Sequence, residues 1–300
     1  MRIFLTGGTG FIGKAVIAEL LSFGHTVTGL ARSDESAKIL KSLGASVHKG
    51  SLSDLRALKE GAAAADAVIH LAFIHDFSNY TASVETDKTA IEVMAEGLEG
   101  TGKPLLVASG TLLLRHGHVG TEDDAFDTST APFEVRGQSE EHTKKLAKDK
   151  GVGAVVVRLA PVVHGDADKQ FMPIIIAAAR KNGVSAYIGD GLHRWPATHV
   201  LDAAAAFRLA VERKVPGGST LHFVAEEGVQ IKDIAITIGE KLGVPVVSKD
   251  TDEAADHFGW FASVVGADNP VSSAKTKEVL DWTPKQPGLL DDLRNGSYFS

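Results

Sequence analysis

Over its first 160 residues the chain alternates short apolar, β-branched runs with longer segments in which apolar residues recur every three to four positions. That switching between two periods predicts βαβ units assembled on a parallel sheet. The apolar runs place strands at Arg2 to Leu5, Thr26 to Leu30, Ser46 to His48, Ala67 to Leu71, Leu105 to Ala108 and Ala154 to Arg158. Between them, helical spacing predicts Phe11 to Phe23, where Ile12, Val16, Leu20 and Phe23 share one face, then Asp34 to Leu43, Leu52 to Ala62, Ser83 to Leu98 and Arg136 to Lys148. Past Arg158 the alternation loosens. Gly189-Asp190-Gly191 reads as a turn, and helices are expected near Met172 to Lys181, Val200 to Lys214 and Ile231 to Leu242. The expected fold class is α/β, a doubly wound parallel sheet over residues 1–165 with a smaller lobe over 166–300 packed directly on it. The chain is expected to return to the sheet somewhere in 185–225.

Composition narrows the function classes. With 31 Lys+Arg against 38 Asp+Glu the net charge is −7, which does not suit a polyanion, so no nucleic-acid partner is expected. The 44% hydrophobic and 23% charged residues are ordinary for a globular chain. The absence of cysteine excludes disulfides, thiolate metal sites and cysteine nucleophiles, and fits a reducing, cytoplasmic location. The apolar run before Gly7 is too short for a secretory signal, and the most apolar stretch, Pro173 to Ala179, falls far short of the ~20 residues of a membrane span. No membrane partner is expected, and the chain is expected to act as a monomer or homodimer.

The sharpest motif is Thr6-Gly7-Gly8-Thr9-Gly10-Phe11-Ile12-Gly13, which leaves the first strand and enters the best helical pattern of the chain. In that context the Gly7-x-x-Gly10-x-x-Gly13 spacing points to a phosphate loop of the Rossmann type. Gly7 permits the tight turn, Gly10 lets backbone approach a pyrophosphate and Gly13 permits close helix–sheet contact. The helix N-terminus adds free N–H groups and a partial positive charge. Gly7, Thr9, Gly10, Phe11, Ile12 and Gly13 are therefore the expected pyrophosphate contacts; the bland alternative is an ordinary glycine-rich turn. At the end of the second strand an acid would select NAD(H) and a base NADP(H). The residue there is Arg32, while Asp34 is placed to open the next helix, so NADP(H) is favoured over NAD(H). The alternative is that Arg32 is a solvated loop cation.

These residues, together with DAVIHLA at 66–72, VVVRLAPVVHG at 155–165, HVLDAA at 199–204 and LDWTP at 280–284, resemble the extended and atypical short-chain dehydrogenase/reductase superfamily along nearly the whole chain. The resemblance implies that Leu71 and Ala72 end the fourth strand against the cofactor ribose. It implies that Ser51 and Leu52 flank the adenine, with serine where many relatives carry aspartate. Pro161, Val162 and Val163 would line the nicotinamide, and Arg194 to His199 would close over substrate or phosphate. The family's Ser or Thr after strand five matches Ser109. Its Tyr-x-x-x-Lys does not recur: none of the three tyrosines, Tyr80, Tyr187 and Tyr298, has lysine four residues later, and the family spacing puts Pro132 and Arg136 at those two positions. Arginine can hold the ribose but is not expected to donate a proton at neutral pH. Ser109 and Thr111 are then expected to polarise a carbonyl, with water or a substrate hydroxyl supplying the proton.

Other side chains invite chemical readings beside bland ones. His75, next to Asp76 at the carboxyl edge of the sheet, is a candidate acid or a capped loop residue. His164 is a candidate substrate contact or a packing residue. His116, His118, Glu122, Asp123 and Asp124 have a metal-like composition but no paired helical spacing, so no metal is expected and a mobile loop over the site mouth is the reading preferred. Tyr187, Trp195, Phe258 and Trp260 form either an aromatic substrate wall or the core of the small lobe. His70 reads as a satisfied buried histidine and Asp202 as a structural tie. The whole points to an NADPH-dependent reductase of a small-molecule carbonyl. A nucleotide-sugar epimerase or dehydratase, or a non-catalytic NADP-binding sensor, are the alternatives.

Overall fold

A computed structural model describes residues 1–76, 79–129 and 134–300. Pro132, at the position of the expected tyrosine, lies outside them. The first half reads β1 (Arg2–Thr6), α1 (Phe11–Ser22), β2 (Thr26–Ala31), α2 (Asp34–Ser42), β3 (Ser46–Lys49), α3 (Leu55–Ala63), β4 (Ala67–His70), α4 (Tyr80–Gly97), β5 (Pro104–Gly110), α5 (Glu134–Lys150) and β6 (Gly153–Leu159). The second half reads β7 (Val162–His164), α6 (Phe171–Asn182), β8 (Ser185–Ile188), β9 (Arg194–His199), α7 (Val200–Glu212), β10 (Thr220–Phe223), β11 (Glu226–Gln230), α8 (Ile231–Leu242), β12 (Val246–Lys249), α9 (Thr251–Phe258), α10 (Ala262–Val265), α11 (Ala274–Leu280) and α12 (Leu289–Asn295).

Seven parallel strands form the main sheet in the order β10-β6-β5-β4-β1-β2-β3. Strand order reverses between β1 and β4. In doubly wound sheets that reversal opens a crevice at the carboxyl ends of the strands, where ligands bind. Strands β4 and β6 are buried along almost their whole length, as a sheet covered on both faces requires. The chain re-enters this sheet as β10. The remaining strands form two small sheets, β11-β9-β7 and β12-β8, which the loosened sequence pattern did not announce.

Local chemistry sets the boundaries. α3 starts at Leu55, later than the expected Leu52, because the Asp54 side chain caps it by accepting from the Ala57 N–H at 3.1 Å. β4 stops at His70, so Leu71 and Ala72 lie just beyond the strand and not in it. Among the described residues, no helix is long and apolar enough to cross a membrane.

α5 is tied to β6 by an ion pair inside the protein. Arg158 is fully buried and Glu140 is 2% exposed; Arg158 Nε lies 3.1 Å from both Glu140 oxygens and Nη2 lies 2.6 Å from Oε2. Its Nη1 donates to the Asp124 carbonyl at 2.9 Å and to His222 Nε2 at 3.4 Å, and His222 Nδ1 donates to the Ser272 carbonyl at 2.8 Å. Burial holds the His222 imidazole below its ordinary pKa, which keeps it neutral and able to accept from the guanidinium. Such a pair stabilises little over an apolar replacement, but losing one partner strands the other charge in the interior. Arg158→Leu should therefore destabilise the fold by about 3–5 kcal/mol, and the Glu140→Leu/Arg158→Leu double variant should recover most of that loss; urea denaturation of the three proteins decides.

Candidate active site

The crevice begins with geometry that only glycine permits. Gly7 has φ +73°, and a Cβ there would lie 2.8 Å from the Ala72 backbone nitrogen; a Cβ at Gly13 would lie 2.2 Å from the Gly7 carbonyl oxygen. β1, the first turn of α1 and the end of β4 are thus in backbone contact. α1 is preceded by Gly10, which offers no side-chain cap, and has no acidic residue in its first turn, so the early N–H groups are left for an anion. The uncapped helix start fits a pyrophosphate, and the close backbone approach at Gly7 and Gly13 brings Gly7, Thr9, Gly10, Phe11, Ile12, Gly13, Leu71 and Ala72 to one edge of the sheet.

A buried relay fixes the other side of that edge. Thr6, His70 and Asp87 are each at most 2% exposed. The arrangement that satisfies every donor runs from the Ala72 N–H to Thr6 Oγ1 (3.2 Å), from the Thr6 hydroxyl to His70 Nδ1 (2.7 Å), and from His70 Nε2–H to Asp87 Oδ1 (3.1 Å). His70 is the satisfied core histidine its apolar strand suggested.

At the end of β2, Arg32 is exposed and forms no hydrogen bond or ion pair with any described residue. Asp34 sits in the first turn of α2 behind the Ser33 cap and pairs with Lys49 at 2.8 Å, so its carboxylate is lowered below the usual range by that lysine. Ser51, after β3, accepts from the Ser53 N–H at 3.3 Å in the turn that leads to Asp54.

Deeper in the crevice, Arg136 enters from α5. Its Nη2 donates to the Ala108 carbonyl at 2.9 Å and its guanidinium lies 3.8 Å over the Phe73 ring, while Nη1 is buried with no partner among the described residues. That orphaned donor fits a ribose hydroxyl. Phe73 also meets His75 at 5.2 Å and Tyr80 at 5.9 Å, both edge-on. Desolvation, reinforced by the Arg136 charge, holds the His75 imidazole below its ordinary value, so it is neutral at pH 7.

Three expected catalytic roles change. The Ser109 hydroxyl donates to Glu140 Oε1 at 2.6 Å, and the same side chain is paired with Arg158, so in this arrangement Ser109 faces a substrate as an acceptor. Thr111 is fully buried and donates to Asn269 Oδ1 at 3.1 Å, facing the C-terminal segment instead of a substrate. His164, also fully buried, bonds Asp292 Oδ2 at 2.8 Å and packs edge-on against His199 at 5.2 Å. Val162 and Val163 precede it on β7, buried, with Pro161 partly exposed beside them.

The small lobe answers the remaining expectations. Arg194 is engaged by Asp268 through Nε at 3.0 Å and Nη2 at 2.8 Å. Trp195 and Phe258 are core residues, Trp195 stacking with Phe171 and Phe261, and Tyr187 packs against that core, whereas Trp260 is 68% exposed; they make no common wall. The loop after β5 is stitched down and does not hang free over the mouth: Gly120 bridges to Val271, and the Gly117 N–H donates to the Asp268 carbonyl at 2.7 Å. Glu122 is buried and accepts from the Thr276 N–H and hydroxyl at 2.8 and 2.7 Å. Asp202 accepts from the Lys285 and Gln286 N–H groups at 2.8 and 3.0 Å, the tie its position suggested.

Residues 3–225 match the model of the NAD dependent epimerase/dehydratase family. A protein of Saccharomyces cerevisiae described as "Uncharacterized protein YLL056C" is 46% identical over 296 residues, covering 98% of each chain. The 4-hydroxy-2-methyl-3-oxo-4-farnesyl-3,4-dihydroquinoline-1-oxide ketoreductase of Stigmatella aurantiaca is 28% identical over 90% of this chain and 84% of its own. Among solved structures, gox2253 superposes with TM-score 0.79 at 21% identity, over 99% of this chain and 97% of that one. The family is NAD dependent by its description, so a nicotinamide dinucleotide is the class of cofactor supported. Gly13→Val should weaken dinucleotide binding at least about tenfold, or about 1.4 kcal/mol, as read by quenching of tryptophan fluorescence.

Proposed function

The chain belongs to the NAD dependent epimerase/dehydratase family, and from that premise we propose that it is an NADP(H)-dependent reductase of a small-molecule aldehyde or ketone carbonyl. The observation that carries the cofactor choice is the contrast at the end of β2, where Arg32 has no partner among the described residues and the first carboxylate after it in the chain, Asp34, is engaged by Lys49. A guanidinium there suits a 2′-phosphate, and the Asp34 carboxylate is drawn to Lys49 instead of toward the ribose hydroxyls.

The cradle of Gly7, Thr9, Gly10, Phe11, Ile12 and Gly13 holds the pyrophosphate through backbone N–H groups. Ser51 and Leu52 flank the adenine. Leu71, Ala72 and the unsatisfied Nη1 of Arg136 hold the nicotinamide ribose, and Pro161, Val162 and Val163 supply an apolar floor that keeps water from the reacting face. The bound dinucleotide supplies a hydride. Arg136 keeps its charge at the mouth, where negative charge develops on a carbonyl oxygen. Ser109, anchored to Glu140, orients the substrate as an acceptor.

Reduction is favoured over nucleotide-sugar chemistry by the small lobe. Arg194, which would have to meet a substrate phosphate, is engaged at two nitrogens by Asp268. The ketoreductase likeness of the Stigmatella protein supports the same direction. The cysteine-free composition supports a cytoplasmic place of action.

Fluorescence titration tests the cofactor directly. The wild type should bind NADPH more tightly than NADH. Arg32→Ala should weaken NADPH by about 1.5–3 kcal/mol, the scale of a hydrogen bond to a charged group, and leave NADH unchanged. Equal affinities untouched by the substitution would return the reading to an NAD-linked epimerase. Cofactor binding without turnover of any aldehyde or ketone would leave a sensor.

A further inference from the structure

The crevice as described lacks a proton donor. The Ser109 proton is committed to Glu140, Thr111 is buried, His75 is held neutral and Arg136 does not release a proton near neutral pH. A carbonyl reduced by hydride needs one proton on its oxygen. Three phenols are available in the sequence. Tyr298 donates to Asp168 at 2.8 Å and accepts from the Gly165 N–H, in the fold of the C-terminus behind β7. Tyr187 packs in the small lobe beneath Lys232.

Tyr80 is placed differently. It is the first residue of α4, and in a parallel α/β unit the helix starts at the carboxyl edge of the preceding strand, here the edge that carries the glycine cradle. Along α4 the positions 80, 84, 87, 91 and 94 fall on one face, and Val84, Asp87, Ile91 and Met94 of that face are buried. Tyr80 thus stands at the crevice end of the buried stripe, two turns above the Asp87 that bonds His70 at the end of β4. Its ring meets Phe73 at 5.9 Å, and the Phe73 ring carries the Arg136 guanidinium at 3.8 Å.

On this geometry, and resting on the reductase reading above, we propose that Tyr80, supplied from α4, is the catalytic acid of the site, in place of a residue of α5. In the step, the C–H bond at C4 of the dihydronicotinamide breaks and a C–H bond forms at the carbonyl carbon. The dihydronicotinamide is oxidised and the carbonyl reduced. The carbonyl oxygen takes the proton of the Tyr80 hydroxyl, and the resulting phenolate, facing the Arg136 charge, regains a proton from water. Desolvation, with the Asp87 charge adding to it, holds the Tyr80 phenol above its ordinary pKa while Arg136 draws it partly back, so it stays protonated at neutral pH and is still acidic enough to neutralise an alkoxide.

The test is Tyr80→Phe, which keeps the ring against Phe73 and removes only the hydroxyl. With NADPH and a panel of aldehydes and ketones, kcat should fall roughly 10²- to 10⁴-fold, with NADPH affinity within twofold of the wild type. The high-pH fall of the wild-type kcat profile should disappear in the variant. An independent readout without cofactor is ultraviolet difference titration of phenolate: the Tyr80 ionisation should be missing in Tyr80→Phe and should move to higher pH in Arg136→Met. Wild-type turnover that Tyr80→Phe leaves intact, or a pH limb that survives it and vanishes in His75→Gln, overturns the assignment alone. A wild type that binds NADPH and reduces nothing on the panel overturns both the assignment and the reductase reading.

Discussion

The structure turns on the backbone contact between β1 and the first turn of α1. With a hydrogen at the Cα of position 13, the helix axis can approach until a Cβ would lie 2.2 Å from the Gly7 carbonyl, and with φ +73° at Gly7 the chain can reverse within one residue. Everything at the sheet's carboxyl edge follows from that approach. α1 aims its uncapped N–H groups at the crevice, and the end of β4 closes against Gly7 at Ala72. The Thr6-His70-Asp87 relay then locks β1 to β4 and to α4 from within, using polar groups that burial obliges to pair.

Across the crevice, a second buried polar system governs which side chains keep usable protons. Glu140 and Arg158 compensate each other in the interior, with the Asp124 carbonyl and neutral His222 taking the remaining guanidinium donors. Ser109 is drawn into this system as a donor, so its place at the end of β5 no longer gives it the role its position suggests. Arg136 behaves oppositely: one nitrogen anchors to Ala108 and another stays unmet, because the guanidinium lies along Phe73 instead of against a carboxylate. The mouth therefore keeps a positive charge that no protein anion neutralises by direct contact among the described residues, and charge developing on a substrate oxygen is stabilised there with little reorganisation.

The segment 268–286 ties elements that are far apart along the chain. Asp268 binds Arg194, Asn269 exchanges hydrogen bonds with Thr111, Val271 bridges to Gly120, Thr276 bonds Glu122 and the backbone at 285–286 is held by Asp202. These ties reach across more than 70 residues of sequence in every case, and they convert the loop after β5 into part of the scaffold. The aromatic residues of the lobe follow the same logic: Trp195 and Phe261 fill the space between α6, α8 and α9 because apolar area is better spent on the core than exposed to solvent.

The sequence by itself determined whatever depends on neighbours along the chain. The periods of two and 3.6 located β1 to β6 and α1 to α8 within a few residues, since amphipathic faces are written in local spacing. Gly7, Gly10 and Gly13 announced the cradle because the missing Cβ is a property of each residue, and His70 and Asp202 announced their structural roles through apolar or helical surroundings. What tertiary structure decided is where shared protons and charges go. Nothing near Ser109 in sequence says that Glu140 takes its proton, nothing near Thr111 reveals Asn269 158 residues away, and nothing near Arg194 reveals Asp268. Tyr80 went unmarked for the same reason, because its claim on the site comes from Phe73 and Arg136, brought beside it by the sheet. Hydrogen bonding and desolvation act through space, and only the packed sheet settles which polar groups meet.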